Sequence, residues 1–222
     1  MTRPPTFLSL IALHTLFSGR NGMPGPKSIN DPLALHGSVM RLFGPLGGPS
    51  PRAAAGILFR LEPAVPGRAP ALLIRSALVP QTTLPGLLTR EEPAAPAAGT
   101  PVAFRLSANA VRRHGTSVIV DGRKRTRSTM SGSVPRDDDP TNTGPAMTEW
   151  VADKVTDAIG AVELLNHDRH VIGNKAGRTV QTDLVDGFGV IEDPEKLAVL
   201  LAAGIGRAKN YGCGLLTVKP VY

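Results

Sequence analysis

The segment Asp193–Leu216 reads DPEKLAVLLAAGIGRAKNYGCGLL and joins a helix start, a glycine-rich loop and the beginning of an apolar strand. Aspartate is a preferred helix N-cap and proline is favoured at the first helical position, so Asp-Pro predicts a helix beginning here. The apolar run then ends at Gly204, where a glycine is typical of a helix end. The segment therefore predicts a helix, a tight loop and a strand in close succession.

Four glycines surround two cations and one aromatic ring in this loop. Exposed backbone N–H groups beside Arg207 and Lys209 suit an anionic partner, most simply a phosphate backbone. A dinucleotide fingerprint would need glycine at position 209, and no Gly-Lys-Ser/Thr run of a P-loop is present. A helix C-cap followed by a turn is the alternative, and we expect it to account for only two of the four glycines. We predict that Gly204, Gly206, Arg207 and Lys209 bind nucleic acid.

A second Asp-Pro pair, Asp31-Pro32, also begins an apolar helix that ends at a glycine, and strand-like runs flank both helices. This internal similarity predicts an α+β fold of two tandem ferredoxin-like domains, RRM-like and of the split βαβ kind. The stretch TREEPAAPAAGT at 89–100 has linker composition. We predict an N-terminal domain over 1–90, a linker over 91–100 and a C-terminal domain over 101–222. Sheets of this kind often bind RNA.

The remaining pattern predicts the individual strands and loops. Residues 128–146, rich in Ser, Gly, Pro and Asp, are predicted to form a loop, and Thr148 is predicted to cap the helix after it. Strands are predicted at 6–14, 56–61, 71–76, 102–106, 117–120, 161–165 and 179–185.

The charge of the chain favours an anionic partner, since 25 Lys and Arg exceed 18 Asp and Glu across 222 residues. The excess is concentrated in residues 101–130, which hold seven cations and one acid. These cations are Arg105, Arg112, Arg113, Arg123, Lys124, Arg125 and Arg127. If the chain turns back between the two clusters, they line one β-ribbon that can follow phosphates on both sides of a duplex. A solvated hairpin is the alternative. Residues 131–200 are acidic and form a candidate protein-facing or solvated surface.

The single cysteine, Cys213, excludes an internal disulfide framework and favours a reducing cytoplasm. The apolar run at 7–17 is too short to span a membrane, and we interpret it as the first strand. The sequence therefore predicts a cytoplasmic protein without a membrane partner.

His36 is the candidate catalytic residue because it lies on the rigid helix that Asp31 begins. An imidazole with an ordinary pKa near 6.5 suits proton transfer at neutral pH. A hydrogen-bonded core histidine is the alternative. The His167–His170 segment resembles a ligand pair, but it lies in a predicted polar hinge with no obvious third ligand. RNA cleavage by the neighbouring 2′-hydroxyl needs only a base, an acid and cations. We therefore predict no metal and no cofactor.

Taken in order, these motifs resemble the CasE family, the repeat-processing endoribonucleases of the type I-E CRISPR Cascade complex. Asp31–His36 is similar to the family's Asp-Pro-Tyr-x-Leu-His motif, and Leu58–Glu62 resembles its second strand. Phe104–Asn109 and Gly122–Arg125 resemble its Phe-Arg-Leu-x-Ala-Asn and Gly-Lys-Arg elements. Gly204–Leu216 is the most specific mark of the family.

The resemblance implies a metal-independent endoribonuclease that binds the stem-loop of CRISPR repeat RNA and cuts precursor RNA into guide units. The products would carry a 2′,3′-cyclic phosphate and a 5′-hydroxyl, and the enzyme would stay with the guide RNA among other Cascade subunits. His36 falls on the catalytic histidine, and the basic segment and glycine loop fall on RNA-holding elements. Three positions depart from the family. Leu33 stands where the family has a tyrosine, and Gly37 and Ser107 each stand where an arginine is frequent.

Two other functions stay open at this point. A catalytically silent subunit that only caps the guide RNA hairpin is compatible with Leu33 and Gly37. A small-molecule α/β enzyme could use the glycine loop for a phosphorylated metabolite. A steep loss of affinity with rising salt would favour RNA over the small molecule, because several phosphate contacts release several counterions.

Overall fold

The computed structural model describes residues 5–18, 30–82, 84–120, 123–173 and 179–221, the side chains of 113–131 excepted. Its strands are β1 (Phe7–Ala12), β2 (Leu58–Glu62), β3 (Ala71–Ser76), β4 (Leu88–Glu91), β5 (Pro101–Ala108), β6 (Val111–Val120), β7 (Arg123–Ser133), β8 (Ile159–Ile172), β9 (Val180–Ile191) and β10 (Leu216–Pro220). Its helices are α1 (Leu13–Phe17), α2 (Pro32–Arg41), α3 (Pro51–Ala54), α4 (Met147–Val155) and α5 (Pro194–Ala203), with a 3₁₀ turn at Lys209–Tyr211.

The first half is an antiparallel sheet in the order β2-β3-β1-β4, with α2 connecting β1 towards β2. Helix α2 begins where predicted, because the Asp31 carboxylate accepts hydrogen bonds from the backbone N–H groups of Leu33 and Ala34, both at 3.0 Å. Its buried side chains pack with those of the sheet in one core. This core includes Ile11, Leu35, Val39, Phe43, Phe59, Leu72 and Ile74.

The second half repeats this strand order as β10-β5-β9-β8, and it has a helix at both crossovers. Helix α4 lies between β5 and β8, and α5 lies between β9 and β10, which completes a β-α-β-β-α-β unit. A separate core fills this half, with Phe104, Leu106, Met147, Val151, Val185, Ile191 and Leu197 among its members. The predicted α+β fold of two ferredoxin-like domains is confirmed, although the described residues between β3 and β4 form no helix.

Strands β6 and β7 form a two-stranded antiparallel ribbon apart from both larger sheets. The predicted reversal between the two cation clusters is therefore present, with a register shift between His114 and Gly115. The prediction of a loop over 128–146 is wrong for its first part, since β7 continues to Ser133. Ser128 and Met130–Ser133 pair with β6 across the ribbon, and this pairing overrides the local turn propensity.

Two further local predictions are wrong. Residue Ala146, not Thr148, occupies the N-cap position of α4, and the backbone N–H of Ala146 donates to the Glu149 carboxylate at 2.9 Å. The segment His167–His170 is not a polar hinge but part of the long strand β8, which pairs with β9 along its length.

The two halves are joined by a buried arginine. Arg60 on β2 is 2% exposed, and its guanidinium donates to the backbone oxygens of Arg105 at 2.8 Å and Leu215 at 3.1 Å in the second half. It also donates to the Thr217 hydroxyl at 3.0 Å and to the Glu62 carboxylate at 2.6 and 2.8 Å. Burial lowers the pKa of Arg60 to about 10, so it stays charged at neutral pH.

A second buried arginine, Arg75, also connects the two halves. The Arg75 guanidinium on β3 is 1% exposed and donates at 2.9 Å to the backbone oxygen of Leu201, near the end of α5. Its other nitrogens pair with the carboxylate of Glu92.

Residues 92–100 carry no helix or strand. The linker over 91–100 and the domain limits stay predictions, and Glu91 lies at the end of β4. No helix in the described part of the chain is long and apolar enough to cross a membrane.

We expect Arg60→Leu to lower the free energy of unfolding by about 3–5 kcal/mol, because it removes one partner of a buried ion pair. Two backbone oxygens of the second half lose their donor at the same time. Urea unfolding followed by circular dichroism measures the change. The matched control is Arg68→Leu at an exposed position, which should change the value by less than about 0.5 kcal/mol. Equal midpoints for the two variants would contradict the interface role.

Candidate active site

His36 lies on the fifth residue of α2, with a half-buried imidazole. Its Nδ1 atom is buried and has no hydrogen-bond partner among the described residues. A structural histidine in a protein interior normally has its ring nitrogens hydrogen-bonded, because an unpaired buried polar atom is costly. The unpaired Nδ1 atom therefore does not favour the alternative, in which His36 is a hydrogen-bonded core histidine.

The electrostatic environment keeps His36 neutral. Burial lowers the pKa of its imidazole below the ordinary value, and the positive charge of Arg52 lowers it further. At neutral pH the ring is therefore unprotonated and able to accept a proton. A group of this kind suits a general base better than a general acid.

Arg52 lies on the short helix α3, and its guanidinium donates to the backbone oxygen of Ile57 at 2.6 Å. This bond anchors the side chain beside the start of β2. Sequence reasoning missed Arg52 because it sits in a Gly- and Pro-rich connection that shows no periodicity. The Pro51-Arg52 pair before three alanines is the signal of a helical turn that could have found it.

Lys209 approaches the same region from the second half of the protein. The 3₁₀ turn Lys209–Tyr211 packs against α2 and β2, and the Lys209 ammonium donates to the backbone oxygen of Ala203 at 2.7 Å. Burial lowers the pKa of Lys209, and the charge of Arg52 lowers it further. Arg52 thus acts electrostatically on His36 of the first domain and on Lys209 of the second.

The glycine loop that carries Lys209 is shaped by backbone sterics. All four of its glycines have φ between +71° and +94°, so the expectation that turn geometry accounts for only two of them is wrong. A Cβ on Gly204 would lie 2.8 Å from the Leu58 side chain, and one on Gly214 would lie 3.0 Å from the backbone oxygen of Ile205. The buried Gly204 also donates its N–H to Leu200, so its role here is in packing. Gly206 and Arg207 are exposed.

The other predicted RNA-binding residues fall in two places. The Arg105 guanidinium lies at the domain interface, where it binds Asp186 at 2.5 and 2.9 Å and Glu62 at 2.9 Å. The hydrogen bond to Asp186, together with both carboxylate charges, raises its pKa. Arg112 stands half-buried near the root of the ribbon. The backbone of the ribbon also carries Arg113, Arg123, Lys124, Arg125 and Arg127, whose side chains lie outside the described part.

Leu33 stands one helical turn before His36, on the same face of α2, and is 58% exposed. The family pattern has a tyrosine hydroxyl here, and this chain presents a hydrocarbon side chain to solvent instead. Gly37 is half-buried and has room for a Cβ, whose nearest neighbour would be the Arg41 side chain at 3.5 Å. Within the described residues, no three His, Cys, Asp or Glu side chains cluster as metal ligands would.

The fold and this site define a two-domain ferredoxin-like protein in which Arg52 acts electrostatically on His36 of the first domain and on Lys209 of the second. The chain belongs to the family described as CRISPR associated protein, whose pattern matches residues 6–220.

Individual relatives agree with this assignment. The chain is 28% identical over 176 residues to the CRISPR system Cascade subunit CasE of Escherichia coli K12, covering 77% of this chain and 85% of that protein. The crystal structure of Cas6e from E. coli K-12 superposes with a TM-score of 0.62 at 21% identity, over 97% of this chain and 100% of that one. Thermus thermophilus Cse3, in a structure with RNA representing a pre-cleavage complex, gives 0.64 at 20% identity with the same coverage.

We expect Arg52→Gln to raise the pKa of His36 towards its ordinary value, because a neighbouring positive charge is removed. NMR titration of the histidine ring signals measures this, with the His36 signal identified by its absence from His36→Ala. Arg52→Lys is the matched control, since it keeps the charge and should leave the pKa of His36 lowered. An unchanged His36 titration in Arg52→Gln would show that Arg52 does not act on the imidazole.

Proposed function

We propose that this protein is a metal-independent endoribonuclease that binds the stem-loop of CRISPR repeat RNA and cuts precursor CRISPR RNA into guide units. After cleavage it stays with the guide RNA as a subunit of Cascade. Membership of the CRISPR-associated family and similarity to CasE over most of both chains support this function. The shared fold with Cse3 in its RNA-bound pre-cleavage structure supports RNA as the substrate.

One observation carries the catalytic part of the proposal: burial and the charge of Arg52 lower the pKa of both the half-buried His36 and Lys209. A neutral imidazole can remove a proton from a 2′-hydroxyl, and two neighbouring cations can stabilise an anionic phosphorus centre. These are the groups that transesterification at an RNA phosphate requires from a protein.

The reaction proceeds by attack of the 2′-oxygen on the adjacent phosphorus. His36 accepts the 2′-hydroxyl proton while the O2′–P bond forms, and Arg52 and Lys209 stabilise the charge on the non-bridging oxygens. The P–O5′ bond then breaks and leaves a 2′,3′-cyclic phosphate and a 5′-hydroxyl. We assign the proton on the departing 5′-oxygen to Lys209, because burial and Arg52 lower its pKa and make it a stronger acid.

Substrate binding rests on two basic elements. The ribbon β6–β7 carries six of the chain's cations, and Gly206 and Arg207 are exposed on the loop that carries Lys209. Arg105 and Gly204 support the site from within, through the ion pairs and packing described above.

His36→Ala tests the catalytic assignment. With the host's own repeat hairpin in EDTA, we expect the single-turnover cleavage rate to fall by at least about 100-fold, because general base catalysis is lost. Affinity for the hairpin should stay within about twofold, since the cations that bind phosphate are intact. The matched control is His14→Ala, at an exposed position on α1, which should cleave like the parent protein.

The other outcomes separate the alternatives. Tight binding without cleavage by the parent protein would identify a silent subunit that caps the guide RNA. Binding whose affinity hardly changes between low and moderate salt would favour a small phosphorylated ligand over an extended RNA contact. Cleavage by His36→Ala at the parent rate would remove His36 from the mechanism.

Leu33→Tyr tests whether the missing hydroxyl limits the rate. Tyrosine at this exposed position would place a phenol one turn from His36 without disturbing the core. We expect the single-turnover rate to rise by about tenfold or more, because a second proton-transfer group joins the site. Leu33→Phe is the matched control, since it adds the ring without the hydroxyl and should leave the rate near that of the parent. Equal rates for Tyr and Phe would show that the hydroxyl has no part in this enzyme.

A further inference from the structure

A fully buried carboxylate, Asp183 on β9, lies away from the candidate active site and gathers four hydrogen-bond donors. Its Oδ1 atom lies 2.9 Å from Nε2 of His167 and accepts from the Arg169 guanidinium at 2.6 Å. Its Oδ2 atom accepts from the Gln181 amide at 2.9 Å and from the backbone N–H of Ala110 at 3.1 Å. Four donors satisfy the usual acceptor capacity of a carboxylate. We call this group, Asp183 with His167, Arg169 and Gln181, the Asp183 cluster.

The cluster keeps its central charge despite complete burial. Burial by itself would raise the pKa of Asp183, but hydrogen bonds from His167, Gln181 and Arg169, together with the Arg169 charge, outweigh it and lower the pKa. The register of the sheet makes this possible, because Arg169 lies directly opposite Asp183 and His167 lies diagonally across on the same face.

Among the described residues, the side-chain hydrogen bonds that the cluster makes outside itself go to the root of the β6–β7 ribbon. Ala110, which donates to Asp183, immediately precedes β6, and Val134, whose backbone oxygen accepts from Arg169 at 2.6 Å, immediately follows β7. The two root residues also bond each other, with Val134 N–H donating to Ala110 at 3.0 Å.

Gln181 makes three further contacts to the root. Its side-chain oxygen accepts from the Ser133 hydroxyl, and its backbone oxygen accepts from the Asn109 amide at 2.8 Å. Its side-chain amide donates to the backbone oxygen of Ala110 at 3.4 Å. The cluster thus holds both entering and leaving strands of the ribbon on the edge of the second domain.

Because the ribbon is long, a small change in direction at its root produces a large displacement at its tip. Ten residues of β6 extend roughly 30 Å, so a tilt of about 10° at the root would move the tip by about 5 Å. Hydrogen bonds to phosphate tolerate only a few tenths of an ångström. In the described structure the ribbon pairs with neither large sheet, so the sheets cannot correct such a tilt.

We propose that Asp183 is a positioning residue that sets the direction of the basic ribbon and thereby the affinity for the RNA stem. This inference rests on the proposed function, since it takes the ribbon to be the stem-binding element. Asp183 acts on binding and not on the bond-breaking step, because His36, Arg52 and Lys209 belong to a different site.

The test compares Asp183→Asn with the matched control Asp168→Asn, an exposed carboxylate on the neighbouring strand β8. With the repeat hairpin and the full chain, we expect Asp183→Asn to raise Kd about tenfold. The slope of log affinity against log salt should become shallower by about 2, as for two lost phosphate contacts. The cleavage rate at saturating RNA should stay within about threefold of the parent, and Asp168→Asn should match the parent throughout.

A second arm measures ribbon direction without RNA. Nitroxide labels at Ser117→Cys on β6 and Glu195→Cys on α5 give a distance distribution by double electron–electron resonance. The native Cys213 does not compete for label, because it is buried and its pKa is raised to about 12. We expect Asp183→Asn to broaden this distribution and Asp168→Asn to leave it unchanged.

The outcomes separate the two proposals. If the parent protein does not bind the hairpin, the proposed function fails, while the labelled distances still report whether Asp183 directs the ribbon. An unchanged Kd and distance distribution in folded Asp183→Asn would overturn the inference, as would a weaker affinity with an unchanged salt slope. If Asp183→Asn does not fold, Gln181→Ala decides by the same criteria, because it removes root contacts and keeps the buried Asp183–Arg169 pair.

Discussion

The buried guanidinium of Arg60 is the interaction on which the arrangement of this protein depends. A charge removed from water must find compensating partners, and Arg60 finds them in Glu62 and in backbone oxygens of the other domain. Because those oxygens belong to β5 and to the residue before β10, only one relative placement of the two sheets satisfies the guanidinium. Apolar packing alone would tolerate sliding between the domains, whereas directed hydrogen bonds do not.

This constraint matters because the candidate active site belongs to neither domain alone. His36 and Arg52 come from the first domain, and Lys209 comes from a loop of the second that packs against α2. The glycines of that loop allow a compact turn between α5 and β10, and Gly212 places it against Phe59. The proposed catalytic groups therefore depend on how the two domains are placed, and the Asp183 cluster attaches the root of the basic ribbon to the second domain.

The sequence predicted those features that depend on residues close together in the chain, such as helix starts and strand pairs. The Asp-Pro pairs marked the starts of α2 and α5, and the cation clusters marked the two strands of the ribbon. The length of β7 was missed because Ser and Gly at 131–133 resemble a turn until a partner strand is present. Arg52 was missed because its connection shows no periodicity, and Asp183 could not be found because its role depends on residues that are distant in sequence. The interface role of Arg105 was hidden because Glu62 and Asp186 flank it only after folding.

The separation of the ribbon from both four-stranded sheets has a consequence for how this protein can diverge. Its strands hydrogen-bond to each other and not to the sheets, so side chains along its length can change with little cost to either domain core. Under the proposed function, a stem-binding element attached in this way is an exchangeable module on a separate two-domain frame. New repeat sequences can then be accommodated by substitutions confined to the ribbon, while the residues at its root and at the domain interface stay under a different selective pressure.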